Sequence, residues 1–541
     1  MEVKSLFKSN EYITIEEYIK RCGAEKPYDY LCRATQYIEN PDKYNCMTEG
    51  FQMLSRACDI VIKERHKKIY LVQDSDVDGL TSCAISYMYL VYYVPVPKEQ
   101  VVVLFHKHKE HGLSKDIFTE IKDDCALVWL PDAATNDMKQ CSILRHRKIN
   151  VLITDHHNAT VKNQFATIIN NQTSKDVQNK NLSGVGVTFK FIQFCCQKTG
   201  SKFYTKILDL VMLGNIGDVM DFRSIENRAI NFWGLRHIQN PFFKILCNTF
   251  IADKVTPKNI AFNVVPKLNA VQRSNNQDLK ESLFYHFVSF TNDYDEIIRQ
   301  LKAQHSKQTN DTNKMFRHIV ANNEPTDDKV MIIETDEDTP YTGLVANKLQ
   351  DYYHKSTILV HNANGQMKGS CRAYGDLLTP INQSNLVDFA LGHKNVFGVG
   401  FPCSNTTKLQ DYLNNIDIKK EVVEVTAIYD RAHPLKNEAF FLANEYAELW
   451  GNGMPQPKFY FEIPLNEIKF SFIGKRENVL KFKWENMEFI KFNVSKELKK
   501  EFNAMRDLHG DEKLCIVGEL SINTWNGLDT KQCIILEHEV E

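Results

Sequence analysis

Three apolar segments in the first 160 residues each run into a carboxylate, and this repeated arrangement constrains the fold more than any other feature. The segments are KIYLVQDSDVDG at 68–79, CALVWLPDAATND at 125–137 and INVLITDHHN at 149–158. Short apolar runs that alternate with helix-favouring stretches predict the buried strands of a parallel sheet in an α/β fold. Because the carboxyl ends of such strands line one crevice, we expect the acids to meet in a single pocket.

The pocket would gather several acids and two histidines. The first strand delivers Asp74, Asp76 and Asp78, the second Asp132, and the third Asp155, His156 and His157. Two carboxylates about 4 Å apart repel by about 4 kcal/mol at an effective dielectric near 20, so a cation has to lie among them. Oxygen ligands with an imidazole suit Mn²⁺ or Mg²⁺. The pattern therefore predicts a metal-dependent phosphoesterase site.

The first motif has another interpretation, because Asp-x-Asp-x-Asp-Gly also opens a calcium-binding EF-hand loop. Ile85 stands at the twelfth loop position, where that loop needs Glu, and a strand precedes the motif instead of a helix. We therefore disfavour the calcium loop. Gly79 is expected to break the strand, and Thr81 to cap a helix that begins near Ser82.

Length and composition indicate how many domains to expect and in which cellular compartment the protein acts. A chain of 541 residues exceeds what one hydrophobic core normally holds, so three or four domains are expected. Fourteen irregularly spaced cysteines and no apolar leader predict free thiols in a cytoplasmic setting, that of a prokaryote or an infected cell. The apolar run at 85–94 is far shorter than the roughly 20 residues that span a bilayer, so no membrane association is expected.

The formal net charge of −2 gives no global attraction to nucleic acid, but the charge is unevenly placed. Basic stretches at 106–111 and 144–150 flank the predicted catalytic strands. Residues 469–493, KFSFIGKRENVLKFKWENMEFIKFN, alternate cations with aromatic side chains. Such alternation is typical of an OB surface that binds single strands, or of a β-sandwich with solvated lysines.

Beyond these patterns, the chain resembles a known family. Asp155-His156-His157 is the motif that names the DHH phosphoesterases, and the chain is similar to their RecJ branch of single-strand-specific 5′-to-3′ exonucleases. Further similar segments follow in the family's order: LSGVGVTFK at 182–190, LDLVMLGNIGDVMDF at 208–222, VPKLNAVQR at 265–273, GSCRAYG at 369–375, FALGHKNVFGVGF at 389–401 and NTWNG at 523–527. Departures, such as Val72 where some members have a histidine, suggest a divergent, phage-like member.

The resemblance implies an α/β architecture with a parallel-sheet DHH domain, a long connecting helix, a smaller α/β DHH-associated domain and a C-terminal OB-like β-barrel. The boundaries that we expect are 1–66 for an N-terminal helical extension, 67–225 for the catalytic domain, 226–320 for a helical connector, 321–418 for the DHH-associated domain and 419–541 for the OB-like, nucleic-acid-binding domain.

The resemblance also assigns roles to particular residues. Two Mn²⁺ or Mg²⁺ ions would be held by Asp76, Asp78, Asp132, His156 and Asp218, with Asp132 bridging them. Asp74 and Asp155 would orient these ligands, and His157 would contact the scissile phosphate or protonate the leaving oxygen. The terminal 5′-phosphate would be bound by Arg273, near Asn269, and by Ser370 and Arg372, while His393 would face the strand near the metals.

The function that this implies is hydrolysis of single-stranded DNA by hydroxide attack at two metals, in DNA repair, recombination or replication. A monomer is expected, with a single-strand-binding protein or a helicase as candidate partner. Two alternatives stay open: a DHH phosphodiesterase acting on short oligonucleotides or cyclic dinucleotides, and a noncatalytic scaffold of a replication complex. Truncation after about residue 415 would separate the two enzymes, because a small-substrate enzyme should keep its turnover.

Overall fold

The structure is a computed structural model, and it describes residues 2–8, 11–32, 53–289, 293–324, 326–337, 341–417, 422–475, 477–505, 512–525 and 528–541. The side chains of residues 393, 497, 524 and 525 are outside the description, so the predicted role of His393 and most of the NTWNG segment lie outside the described residues. The chain forms two compact units, Val3–Ile298 with Glu424–Glu541, and Arg299–Val423. The five finer domain boundaries stay a prediction.

The first part of the chain alternates strands and helices. Its elements are β1 (Val3–Ser5), α1 (Ile15–Arg21), α2 (Pro27–Cys32), α3 (Leu54–Glu64), β2 (Lys68–Gln73), α4 (Val77–Met88), β3 (Val101–Phe105), α5 (Lys115–Glu120), β4 (Cys125–Pro131), α6 (Met138–His146), β5 (Asn150–Asp155), β6 (Thr167–Asn170), α7 (Gly184–Lys198), α8 (Leu208–Gly217), α9 (Ile225–Arg236), α10 (Pro241–Phe250), α11 (Pro257–Asn263), α12 (Val265–Gln272) and α13 (Gln277–Val288). The described residues of this part also contain a π-helical turn (Tyr89–Tyr93) and 3-10 turns (Lys98–Gln100, Phe203–Lys206).

The central sheet of this part is parallel, with strand order β3-β2-β4-β5-β6. Its strands are buried on both faces. One face packs with α5 and α6 through a cluster that includes Val72, Val128 and Ile153, and on β4 Trp129 packs edge-on against Phe191 of α7. Helices on both faces explain why the strands are continuously apolar. The predicted parallel α/β domain is confirmed.

The start of α4 differs from the prediction. The helix begins at Val77, and Asp76 caps it by accepting the Gly79 N–H at 3.0 Å. Thr81 lies inside the helix and donates its hydroxyl to the Val77 carbonyl. The prediction that Thr81 caps a helix near Ser82 is therefore wrong, because a nearer side chain, that of Asp76, already satisfies an N-terminal donor.

The second unit is a smaller α/β assembly, as predicted. It contains most of α14 (Asp295–Asn322), followed by β7 (Val330–Thr335), α15 (Thr342–Tyr353), β8 (Ser356–Ala363), β9 (Gln366–Arg372), α16 (Leu378–Gln383), β10 (Phe389–His393), β11 (Val396–Pro402), a 3-10 turn (Cys403–Asn405) and α17 (Thr406–Asn415). The strand order is β10-β11-β9-β8-β7, with only β7 and β8 parallel. The polar stretch after Asp295 is a 28-residue helix, as the family resemblance implies.

The C-terminal segment is rich in strands. It contains β12 (Val423–Val425), β13 (Ala427–Tyr429), α18 (Asn437–Glu445), β14 (Lys458–Pro464), a 3-10 turn (Leu465–Glu467), β15 (Ser471–Ile473), β16 (Val479–Trp484), β17 (Met487–Lys491), α19 (Lys496–Ala504), β18 (Lys513–Trp525) and β19 (Leu528–Val540). A mixed sheet runs β13-β14-β18-β19-β17-β16-β15. Within the described ranges, no helix is both long and apolar enough to cross a membrane.

Candidate metal centre

The acids that follow β2 and β4 and the histidines that follow β5 converge at the carboxyl edge of the sheet, as the sequence predicts. Three overlapping sets of side chains place their ligand atoms within 4.8 Å of one another: Asp74, Asp76 and Asp132; Asp78, His156 and Asp218; and Asp132, His156 and His157. His156 is central, since its Nε2 lies 3.4 Å from Asp132 Oδ1, 3.5 Å from Asp218 Oδ2 and 3.9 Å from Asp78 Oδ2. Residues from several elements therefore build one centre.

Asp132 reaches the centre through an unusual backbone conformation. Its φ is 77°, in the left-handed region that favours glycine, and its N–H donates to the Thr154 carbonyl at 2.7 Å. The turn brings its carboxylate against the start of α7. A Cβ at Gly184 would lie 2.0 Å from Asp132 Oδ1, so only glycine fits at that helix position.

Asp78 is fixed by the same helix. Gly184 N–H donates to Asp78 Oδ2 at 2.7 Å and Val185 N–H donates to Oδ1 at 2.9 Å. Unpaired N–H groups and the helix dipole both favour an anion at this position. Ser183 caps the helix, and its hydroxyl also binds the Asn215 side chain at 2.8 Å.

Asp155 is buried and hydrogen-bonds to both histidines, and it does not belong to the three sets of candidate cation ligands. Its Oδ1 accepts the His156 N–H at 2.7 Å and pairs with His157 Nδ1 at 2.8 Å, and its Oδ2 accepts the Thr135 N–H at 3.0 Å. Burial acts to raise the pKa of Asp155, but the hydrogen bond and charge of His157 outweigh it, and the pKa falls below its ordinary value. Its supporting role remains a prediction that this geometry favours.

The electrostatics of the centre favour a bound cation. Burial raises the pKa of Asp132 well above its ordinary value, and the neighbouring acids, Asp78 first, raise it further. Burial and the same neighbour raise the pKa of Asp218. Among the described residues, Asp74 Oδ1, Asp132 Oδ1 and Asp218 Oδ2 are buried without a hydrogen-bond donor. A divalent cation would bind these unpaired carboxylate oxygens and offset the repulsion between them.

The two histidines differ in protonation. Burial lowers the pKa of His156 to about 4, with help from His157, so its imidazole is neutral and free to bind a metal. Burial also acts to lower the pKa of His157, yet the hydrogen bond and charge of Asp155 outweigh it and raise that pKa to about 9. The centre thus combines a neutral ligand with a cationic imidazole beside it.

The chain is similar to known proteins. A family model described as DHH family, N-terminal domain, matches residues 68–215, and one described as RecJ OB domain matches residues 435–537. The chain is 28% identical over 531 residues to the putative SPbeta prophage-derived single-strand DNA-specific exonuclease YorK of Bacillus subtilis (strain 168), covering 90% of each chain. It is 25% identical over 558 residues to the single-stranded-DNA-specific exonuclease RecJ of Haemophilus influenzae, covering 93% of this chain and 92% of the relative.

The crystal structure of RecJ in complex with Mn²⁺ from Thermus thermophilus has the same fold. The TM-score is 0.74 at 18% identity, and the match covers 100% of this chain and 78% of the other. The chain is RecJ-like and contains a DHH-family N-terminal domain. The C-terminal strands of this RecJ-like chain accordingly form the OB-type region that the sequence predicts.

Sequence reasoning missed two histidines of the RecJ-like centre. His111 Nδ1 lies 2.6 Å from Asp74 Oδ2, and His106 Nε2 lies 4.0 Å from Asp74 Oδ1. Both belong to the stretch that the sequence indicates only as a basic flank. The sequence signal was the apolar run at Val101–Phe105, which forms β3. Because β3 pairs in parallel with β2, the residue after Phe105 emerges at the same edge as Asp74. The run ends without an acid, so the sequence pattern did not indicate it as part of the centre.

The predicted phosphate-binding residues fall in both units of the RecJ-like chain. On α12 and just after it, Asn269 Oδ1 and Arg273 Nε are buried without a hydrogen-bond partner among the described residues. Burial lowers the pKa of Arg273, although the charge of Asp76 opposes this. Ser370 and Arg372 lie on β9 in the second unit, where the Ser370 hydroxyl is 3.1 Å from that of Thr342. Their roles stay predictions.

Proposed function

We propose that this RecJ-like chain is a metal-dependent exonuclease that hydrolyses phosphodiester bonds of single-stranded DNA from the 5′ end. The observation that carries the proposal is the sharing of Asp132 and His156 between overlapping sets of cation ligands. Its relatives, named as single-strand DNA-specific exonucleases, are similar along 90% or more of the chain. The match to a RecJ OB domain supports a polymer substrate over a dinucleotide.

Asp76, Asp78, Asp132, Asp218 and His156 would hold two Mn²⁺ or Mg²⁺ ions, with Asp132 common to both. Such ions lower the pKa of a bound water and neutralise charge on the phosphate. Asp74 has an oxygen within the first set and is a further candidate ligand. The shared position of Asp132 makes it the acid whose loss should affect both ions.

The remaining residues would position the substrate. His157 pairs through Nδ1 with Asp155, so its outer nitrogen is oriented to contact the scissile phosphate or to protonate the leaving oxygen. Arg273, whose guanidinium lies within electrostatic reach of Asp76, would bind a phosphate oxygen. Ser370 and Arg372, with Arg273, would recognise the terminal 5′-phosphate, and His393 would face the strand near the metals.

We also propose that the enzyme acts as a monomer inside a prokaryotic or phage-infected cell, beside a single-strand-binding protein or a helicase. The prophage origin of the relative in Bacillus subtilis supports this setting. The expected processes are repair, recombination or replication of DNA.

The test is timed digestion of a 5′-phosphorylated single strand labelled at either end, with Mn²⁺ or EDTA. We expect Asp132→Asn to lower the rate of nucleotide release by about 100-fold or more, because several kcal/mol of charge stabilisation are lost. Strand binding, followed by fluorescence anisotropy, should be kept. Asp253→Asn, at an exposed carboxylate outside the centre, is the matched control. Equal release by wild type and Asp132→Asn would refute the assignment, and release from the 3′ end would refute the polarity.

A further inference from the structure

Asp74 has two oxygens in very different surroundings. Its side chain is almost completely buried. Oδ2 is paired with His111 Nδ1 at 2.6 Å, whereas Oδ1 has no hydrogen-bond donor among the described residues and faces His106 Nε2 at 4.0 Å. An ionised carboxylate only accepts hydrogen bonds, so the His111 Nδ1–H donates. One oxygen is therefore held, and the other is available to a cation.

The segment that carries these histidines, residues 106–114, is anchored at its base by α13. The buried ammonium of Lys280 donates to the His106 carbonyl at 2.6 Å, and Gln277 Nε2 donates to the Phe105 carbonyl at 3.1 Å. Because Lys280 is 2% exposed, the contact replaces its hydration and is costly to break. The backbone directly after β3 is thus fixed.

The far end of segment 106–114 is anchored as well. Ser75, next to Asp74, donates its hydroxyl to the Glu110 carbonyl at 2.7 Å, and the Leu113 N–H donates to Asp137 Oδ2 at 2.7 Å. Gly112 has a φ of 61°, and a Cβ there would lie 2.4 Å from that Asp137 oxygen. The backbone on both sides of His111 is therefore held, although the imidazole itself is about half exposed.

We propose that His111 is a positioning residue of the metal centre: it holds Asp74 Oδ2, so that the other oxygen is presented to the cation set formed with Asp76 and Asp132. The inference rests on the metal centre of the proposed function. A ligand carboxylate gains orientation from a hydrogen bond on its second oxygen, and loss of such outer partners typically weakens metal binding about 10- to 100-fold. A half-exposed histidine on a tightly anchored backbone is suited to this purpose.

The test measures Mn²⁺ affinity directly, by the electron paramagnetic resonance signal of free Mn²⁺, on the full chain without DNA. His111→Leu removes the donor, and we expect a loss of affinity of about 10- to 100-fold. His111→Asn places an amide nitrogen where Nδ1 stood and should restore affinity to within about threefold of wild type. His108→Leu is the matched control, since His108 lies in the same segment and contacts Asn275 instead of the centre.

A double-mutant cycle with Asp74→Asn separates positioning from folding. If His111 acts through Asp74, His111→Leu should change Mn²⁺ affinity by less than about twofold in the Asp74→Asn background. Additive losses in the cycle would overturn the proposal. So would wild-type affinity in His111→Leu, or equal losses in the Leu and Asn variants. Should His111→Leu fail to fold, His111→Asn and His111→Gln provide the comparison, because the Gln amide extends past the Nδ1 position.

The measured Mn²⁺ affinities do not depend on the result of the nuclease assay. A wild type that binds Mn²⁺ but releases no nucleotides would refute the proposed function and leave the role of His111 intact. An active wild type with unchanged affinity in His111→Leu would refute the role of His111 alone.

Discussion

Asp132 combines two features that are each unfavourable in the metal-free protein. Its carboxylate is fully buried among four other acids, and its backbone adopts a left-handed conformation that costs about 1–3 kcal/mol outside glycine, less for Asp and Asn. Functional groups persist in such settings when a ligand compensates for them. Asp132 is therefore the residue at which metal binding and folding stability should be most strongly coupled.

Asp132→Asn tests this coupling. Asn tolerates the left-handed backbone and removes one negative charge, so we expect the metal-free variant to unfold at a higher temperature than wild type, by a few degrees. The stabilisation that Mn²⁺ gives to wild type should be largely lost. Thermal unfolding in EDTA and in Mn²⁺ measures both effects.

The exposed Asp253→Asn variant should change neither quantity, because its carboxylate is outside the centre. A lower unfolding temperature of metal-free Asp132→Asn, or full Mn²⁺ stabilisation of that variant, would show that the acids do not oppose one another.

At the scale of the element, the start of α7 fixes two acids that follow different strands: Asp78 in the first turn of α4, after β2, and Asp132 directly after β4. Its first N–H groups bind both oxygens of Asp78, and the missing side chain of Gly184 makes room for Asp132. The helix terminus therefore contacts both acids at the centre, in addition to favouring negative charge there.

Gly184→Ala probes this role of the helix. The added methyl would collide with the Asp132 carboxylate, so we expect Mn²⁺ affinity to fall about tenfold or more and the free energy of unfolding to fall by about 1–3 kcal/mol. Paramagnetic resonance titration and urea unfolding measure the two quantities.

Gly398→Ala is the control, because a Cβ at Gly398 would meet only ordinary contacts at 3.8 Å or more. Unchanged Mn²⁺ affinity in Gly184→Ala would mean that the acids are placed independently of α7.

At the scale of the molecule, the C-terminal segment belongs to the same compact unit as residues 3–298. The Phe222 N–H donates to the Asn452 carbonyl at 2.8 Å, and Tyr18 packs edge-on against Trp450 with ring centroids 5.7 Å apart. Both rings are buried. Truncation near residue 415, which the sequence suggested as a way to separate two enzyme classes, would expose this packing.

We expect a chain that ends at residue 423 to unfold at a markedly lower temperature than the full chain, and with less cooperativity, because apolar surface around Tyr18 and Phe222 becomes exposed. Differential scanning calorimetry of the two chains measures this. An unchanged transition in the shortened chain would show that the C-terminal segment is a separate folding unit, and truncation would then become a valid test of substrate class.

Local patterns in the sequence determined the strands that end on acids and the parallel α/β class, because periodicity and strand-end chemistry depend on neighbouring residues. Resemblance to a family, rather than spacing or periodicity, pointed to Asp218 and to the long helix after Asp295. The tertiary structure alone decided that Gly184 accommodates Asp132 and that His111 holds Asp74. These contacts depend on the strand order, in which β2 lies between β3 and β4. They also depend on the position of the start of α7 at the ends of β2 and β4. Such proximity is set by long-range packing, which no local pattern encodes.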